Sequence, residues 1–335
     1  MVNSPEIQAQ VHAARERGGL LMRADRAVIE ITGRDRAAWL HNLVTNTVNT
    51  LSPGEGNYTF ATNVKGRCVF DAGLLMLDDR IWLDLDRHWL DLAHKHLERY
   101  IITEDVTLTR REDAVRFAAI GPAAAPFAAR IGCGNLAAMA QWQHAAATIR
   151  SVAGRVARND FLGLAAADVY LMGAGATEAA GAAQSLATEL GLVEIGRDAA
   201  EILRIEAGIP ASVQDIDETV VPPETGRIEQ GISYHKGCYL GQEVIERMRA
   251  HNVLARKLVG LVVEADSPPP RGAAIAREGI EIGNVTSACW SETLAAPLAL
   301  GYVKSAHTTP GTALVVRGAT GEANAEIVSL PAKPT

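Results

Sequence analysis

The sequence predicts an α+β body followed by a small all-β domain, and three observations carry that prediction. Ile81, Leu83 and Leu85 alternate with Trp82, Asp84 and Asp86, the period of two expected of a half-buried strand, and helical patterns at 34–48 and 88–100 flank the neighbouring strand runs. A similar alternation of strands and helices begins again at Val115. From about 256 onward the helical patterns stop, and short apolar runs are separated by Gly and Pro.

In chain order, residues 6–17 read as a surface helix ended by Gly18-Gly19. Arg26 to Ile31 reads as a strand. Ala38, Leu40, Leu43 and Val44 recur at helical spacing over 34–48, and Pro53-Gly54 makes a turn. Strands follow at 57–62 and 68–77, joined by a turn at Lys65-Gly66. Trp89, Leu90, Ala93, Leu97 and Tyr100 lie on one side of the helix at 88–100, and Val106 with Leu108 suggests a further strand. This half reads β–α–β–β–β–α–β, an antiparallel sheet with helices on one side. The second unit has strands at 115–120, 148–157 and 168–172, and helices from Pro122 to about 131 and over 176–190. A helix at 197–207 stops at Gly208 with Pro210 beyond it, an acidic loop spans 211–231, and a helix follows at 239–251. The runs at 258–263, 280–285, 298–303 and 313–316 read as a barrel or sandwich. The division is therefore 1–255, with units of roughly 1–110 and 111–255, and 256–335.

A formal net charge of −7 argues against a protein that grips a nucleic-acid backbone, and the short basic stretch from Arg247 to Lys257 reads as a solvated helix face. Cys68, Cys133, Cys238 and Cys289 are widely separated with no C-x-x-C pair, which argues against a zinc site, a Cys-only iron–sulfur site or a disulfide framework. No apolar run reaches the roughly 18 residues of a membrane span, and no leader pattern is visible, so a cytoplasmic protein without direct nucleic-acid or membrane partners is expected, as a monomer.

The stretch Lys236-Gly237-Cys238-Tyr239-Leu240-Gly241-Gln242-Glu243 stands out because it gathers two glycines, a thiol and several polar groups just before a helical pattern. Glycine permits tight turns or close approach. A thiol near a helix N-terminus, with Lys236 and Arg247 close by, has the surroundings that lower its pKa. Gln242 and Glu243 would fix the loop by hydrogen bonds. The alternative is a capped turn carrying a buried, inert cysteine.

This stretch resembles the K-G-C-(aromatic)-x-G-Q-E signature of the YgfZ family, within the glycine-cleavage T-protein (aminomethyltransferase) superfamily. Ile31-Thr32-Gly33-Arg34-Asp35, Tyr58, the Asn63…Gly66…Asp71 run, Leu203 to Pro210, Gly283 to Ser287 and Leu300 to Val303 resemble further blocks of that superfamily. The resemblance implies two interlaced ferredoxin-like units plus a C-terminal β-barrel around a central folate channel. It implies tetrahydrofolate or a derivative as cofactor. It also implies a role in iron–sulfur cluster assembly or repair that supports tRNA-modifying iron–sulfur enzymes, with assembly or client proteins as partners and Cys238 as the functional thiol.

The alternative within the same resemblance is a tetrahydrofolate-dependent aminomethyl- or methyltransferase using Asp71. The T-protein aspartate pair stands here as Phe70-Asp71, so the second aspartate, the one assigned catalysis, is kept. Tyr58 and Glu206 fall where that branch contacts the pterin, with Arg204, Lys236, Gln242, Glu243 and Arg247 as further candidate contacts. A carboxylate can accept paired bonds from the pterin N–H groups. Glu206 could instead form a helix-end salt bridge with Arg204 or Arg197, and Asp71 could be a strand-end surface carboxylate. Asp86 replaces an Asn of the T-protein pocket wall. Arg26 and Ala200 stand where some YgfZ members have tryptophans. No metal site is expected.

Overall fold

In the computed structural model, residues 4–251, 253–318 and 321–332 are described. Helix α1 (Pro5–Glu16) is capped by Ser4, whose side chain accepts from the Ile7 N–H. It buries Val11, Ala13 and Ala14 and is more than a surface helix. Strand β1 (Gly19–Met22) follows, then β2 (Arg26–Thr32), α2 (Arg36–His41), β3 (Gly56–Thr62), β4 (Cys68–Met76), β5 (Ile81–Asp86), α3 (Leu90–Glu98) and β6 (Thr107–Arg110). Strands β3-β4-β5-β2-β6 form an antiparallel sheet. One face packs beneath α2 and α3 around Ile29, Phe70, Leu74, Leu83 and Leu97.

The second unit comprises β7 (Val115–Ile120), α4 (Ala124–Arg130), β8 (His144–Ile149), β9 (Val152–Arg158), β10 (Ala166–Leu171), α5 (Ala176–Glu189), β11 (Val193–Glu194) and α6 (Arg197–Glu206). Its sheet runs β11-β1-β7-β10-β9-β8. The N-terminal strand β1 pairs antiparallel with β7 and parallel with β11, so the chain contributes to the second sheet before it builds the first. That exchange is the interlacing expected of two ferredoxin-like units, and it means that no single cut near residue 110 separates them.

Helices α7 (Ile228–Gly231) and α8 (Gln242–His251) lead to a closed barrel, β12-β15-β14-β13-β16-β17. Its strands are β12 (Arg256–Val263), β13 (Ala274–Arg277), β14 (Ile280–Ser291), β15 (Ala296–Lys304), β16 (Ala313–Gly318) and β17 (Gly321–Val328). Among the described residues no helix is long and apolar enough to cross a membrane.

Three elements differ from the sequence expectation. The helix expected at 34–48 stops at His41 and continues as a strap. Thr45 and Asn46 there bond to backbone groups through their side chains, competing with the helical ladder. The single strand expected at 148–157 is a hairpin, β8 and β9, that turns at Arg150 and Ser151, both with positive φ and neither a glycine. The helix expected from 239 begins at Gln242.

Two histidines sit in these cores as neutral rings. Burial pulls His96 and His144 down to about 4. His144 is held between the Met76 carbonyl and the Arg155 guanidinium, whereas His96 Nε2 has no partner among the described residues. A folded pKa below the unfolded value means that the unfolded chain binds more protons between about pH 6.5 and 4. Stability is therefore expected to fall as pH falls through that window, by roughly 1–3 kcal/mol per histidine. His96→Phe should flatten the decline, as read from urea midpoints at successive pH values.

Candidate functional site

Register places one row of side chains on the face of the first sheet opposite α2 and α3. Tyr58 on β3 pairs with Gly73 on β4, Gly73 with Asp84 on β5, and Asp84 with Val28 on β2. Asp71, two residues from Gly73, shares that face. The row turns toward the second sheet.

Asp71 is 6% exposed, so it is not a strand-end surface carboxylate. Its Oδ2 accepts from the Tyr58 hydroxyl at 2.8 Å and its Oδ1 from the Ser212 hydroxyl at 2.5 Å. Burial and the neighbouring Asp71 charge push the Tyr58 phenol well above its usual value, so it stays a donor. Burial also raises the Asp86 carboxyl. The Arg227 guanidinium lies 5.3 Å from the centre of the Tyr58 ring.

Deeper along the face, the two sheets meet through charge. Asp84 accepts from Arg116 at 2.6 and 3.2 Å, from Arg26 Nε at 3.0 Å and from the Tyr170 hydroxyl at 3.1 Å. Arg116 also bonds Asp168 at 2.8 Å and stacks 3.5 Å over Tyr170. Burial opposes the charge on Asp84, but Arg116 and Arg26 outweigh it and hold the carboxyl well below the usual range. Arg26 is thus committed to an ion pair.

Glu206 and Arg204 stand in the last turn of α6. Glu206 is 3% exposed and is bound by Arg15 of α1 and by Ser291 of the barrel. The helix-end salt bridge with Arg204 or Arg197 is replaced by one to α1, because the last turn of α6 faces the N-terminal helix. Arg204 bonds Glu201, Asp215 at 2.5 Å, Gln214 at 2.7 Å and Ser287 at 2.7 Å, joining α6 to the 211–216 loop and the barrel. Protein partners engage both, and the two side chains fasten three segments.

The Cys238 loop is braced against the strap after α2. Lys236 donates to the carbonyls of His41, Val44 at 2.6 Å and Asn46 at 2.9 Å, matching three N–H donors to three acceptors. Burial pulls its ammonium down to about 7. Lys236 thereby clamps the loop to the strap. Thr62 donates to the Leu240 carbonyl, and Gln242 accepts from the Tyr239 N–H. Gly241, at φ +82, comes so close to Asn63 that a Cβ would lie 2.3 Å from the Asn63 carbonyl oxygen. Cys238 itself is exposed, whereas Cys68, Cys133 and Cys289 are buried, which removes the buried-turn alternative. Glu243 and Arg247 stand on α8 and make no ion pair among the described residues.

Sequence reasoning missed Ser212, Arg227 and Trp142. Trp142 carries φ 65 and lays its ring over Gly73, where a Cβ would meet it at 2.0 Å. The only sequence signal for that contact was a glycine inside a strand.

Known proteins resemble the chain along nearly its whole length. The model of the GCVT N-terminal domain matches residues 3–228, and that of the glycine cleavage T-protein C-terminal barrel domain matches residues 256–332. An aminomethyltransferase of Halothermothrix orenii is 26% identical over 95% of this chain and 89% of its own. The mitochondrial aminomethyltransferase of Gallus gallus is 29% identical over 91% of this chain and 79% of its own. The crystal structure of glycine cleavage system aminomethyltransferase T from Bartonella henselae covers 97% of this chain and 89% of that one, with a TM-score of 0.79 at 22% identity.

If the Lys236 clamp fixes the loop, Lys236→Met should leave three carbonyls without their donor and destabilise the protein by about 1–3 kcal/mol. Urea unfolding measures the loss, and hydrogen exchange should rise across residues 41–46.

Proposed function

The chain belongs to the glycine cleavage T-protein family, and from that premise we propose that it binds a reduced folate beside Asp71 and carries out tetrahydrofolate-dependent aminomethyl transfer. The observation that supports this most directly is the buried Asp71 carboxylate, held by Tyr58 and Ser212 on the face between the two sheets. In this reading residues 1–255 form the folate-binding body and 256–335 the barrel domain.

The residues present suit such a ligand. Asp71 and Asp86 offer carboxylate acceptors for ring N–H groups, and Tyr58 offers an aromatic wall. When bound, tetrahydrofolate supplies the amine nitrogens that accept a one-carbon unit. Asp71 would orient the ring system and take or hold a proton at its carboxylate, while Tyr58 and Ser212 keep that carboxylate in one rotamer. The site is leaner than the T-protein pattern, with Phe70 in place of the first aspartate and Glu206 engaged by Arg15.

Asp71→Asn should cut folate-dependent aminomethyl transfer by about 100-fold or more with little change in melting temperature. Cys238→Ala should leave it near wild type. Full activity in Asp71→Asn would sink this reading.

A second reading, that of the YgfZ family, is favoured by one observation. Cys238 is the exposed thiol of the four cysteines and sits on a loop braced by Lys236. Under it the protein binds folate and assists iron–sulfur cluster assembly or repair through that thiol, with iron–sulfur client proteins, including tRNA-modifying enzymes, as beneficiaries. Cells carrying Cys238→Ala would then lose activity of an iron–sulfur enzyme while the purified variant still binds folate. Unchanged enzyme activity in those cells would remove the second reading.

A further inference from the structure

The outer face of the barrel sets two cations against each other. Arg256 opens β12 and is the direct cross-strand partner of Lys304, the last residue of β15. Val259, Leu261 and Val263 alternate into the barrel core, so Arg256 and its partner face outward together. Like charges directly opposite destabilise a sheet, and the placement calls for something that answers both. Arg256 is answered in part: its Nε donates to Glu224 at 3.2 Å and its Nη2 to the Thr219 carbonyl at 2.9 Å. Its Nη1 has no acceptor among the described residues. Lys304 is exposed and has neither an ion pair nor a hydrogen bond among them.

Both cations line a cavity of about 570 Å³ where the segment leaving α8 meets the barrel. That volume suits a small organic molecule. Asn284 and Ser305 line it too. The Asn284 amide has only a long contact of 3.5 Å, to the Val285 carbonyl, and the Ser305 hydroxyl is buried with no partner among the described residues. An unpaired buried hydroxyl carries a cost that a ligand atom at hydrogen-bond distance would remove. Leu254 and Ile282 supply an apolar wall, and Glu281 is the one carboxylate of the lining. A smaller cavity of about 360 Å³ shares Ile282 and Lys304 with the first, so the two make one groove with Lys304 at the junction. Neither cavity is lined by Tyr58, Asp71 or Asp84.

The donor set selects the class of ligand. The Lys304 ammonium, Arg256 Nη1, the Asn284 amide and the Ser305 hydroxyl can all donate. A carboxylate offers them two coplanar oxygens, whereas a phosphate monoester offers three terminal oxygens in a tetrahedral array and carries roughly −1.5 to −2 charge at pH 7. We propose that this groove binds the phosphate group of a small phosphorylated molecule, at a site separate from the Asp71 face. The phosphate sits between Arg256 and Lys304 and removes their repulsion, and the organic part of the ligand lies along Leu254 and Ile282. The net charge of −7 and the exposed Glu281 beside the groove disfavour an extended polyanion. The site does not depend on what binds at Asp71.

Titration of the full chain with inorganic phosphate, at an ionic strength held constant with chloride, tests this. Backbone amide NMR shifts and the melting temperature are the two readouts. Wild type should show saturable shifts centred on residues 254–256, 283–284 and 304–306 and a rise in melting temperature, and acetate at the same ionic strength should produce neither. Lys304→Gln should weaken phosphate binding by about tenfold or more. Without phosphate, the same variant should melt at or above the wild-type temperature, because one member of a repelling pair is gone. Ser305→Ala should weaken phosphate binding by a smaller factor. Absence of saturable shifts at these residues, an equal response to acetate, full phosphate affinity in Lys304→Gln, or a lower melting temperature for that variant without phosphate overturns the site. Displacement of phosphate by 5-formyltetrahydrofolate would join the groove to the Asp71 face and overturn its separateness.

Discussion

The buried exchange of charge between the two sheets is the constraint on which the rest of the molecule depends. Asp84 lies between Arg26 and Arg116, Arg116 reaches on to Asp168, and Tyr170 closes the group from the second sheet. Taking such charges out of water costs several kcal/mol per ion, so the arrangement is tolerable only with this geometry and this number of hydrogen bonds. Its contribution is orientation more than net stability. Apolar faces slide past one another easily, whereas a guanidinium shared by two carboxylates on different sheets fixes their spacing. Trp142 adds a steric counterpart, filling the notch left by Gly73 in the same row. The face that carries Tyr58 and Asp71 is thereby held opposite the second sheet.

A second tier of polar contacts attaches the long segment 208–251 to this frame. Arg204 ties the 211–216 loop to α6 and to Ser287 of the barrel. Thr45 and Asn46 hold α7, and Lys236 holds the loop that presents Cys238. The two candidate chemistries are thus separated along one strap: the end near α7 serves the Asp71 face, and the end near α8 carries an exposed thiol. Both are supported by the Asn- and Thr-rich residues that follow α2, whose side chains satisfy backbone groups that a longer helix would have used for itself.

Much of this was legible in the sequence, and the failures have identifiable causes. Alternation at 81–86 placed β5 correctly because every second residue there must enter a core. The barrel was legible because Gly and Pro punctuate its strands. The helix at 34–48 was overextended because apolar spacing persists through Leu43 and Val44 while Thr45 and Asn46 already divert the backbone. The 144–158 hairpin was hidden because its turn uses Arg150 and Ser151 at positive φ, where no glycine advertises it. Asp71 and Tyr58 were selected and are in fact bonded to each other. Glu206 and Arg204 were selected by the same resemblance and are satisfied by Arg15 and Asp215.

The sequence by itself determined the period of each element, the position of the glycines, the change of character near 256 and the glycine-flanked cysteine stretch around Cys238. These are local properties, readable because a side chain's face follows from its own neighbours within a few residues. Tertiary structure alone decided the partners of the charged groups. Glu206 and Arg15 are 191 positions apart, Lys236 and His41 are 195, and Tyr170 and Asp84 are 86. An isolated ionised side chain cannot be buried without a partner, and nothing in its local surroundings names which distant segment will supply one. Tertiary structure therefore assigned Lys236 to three carbonyls, paired Glu206 with Arg15, and left Arg227 beside Tyr58 with no ion pair among the described residues.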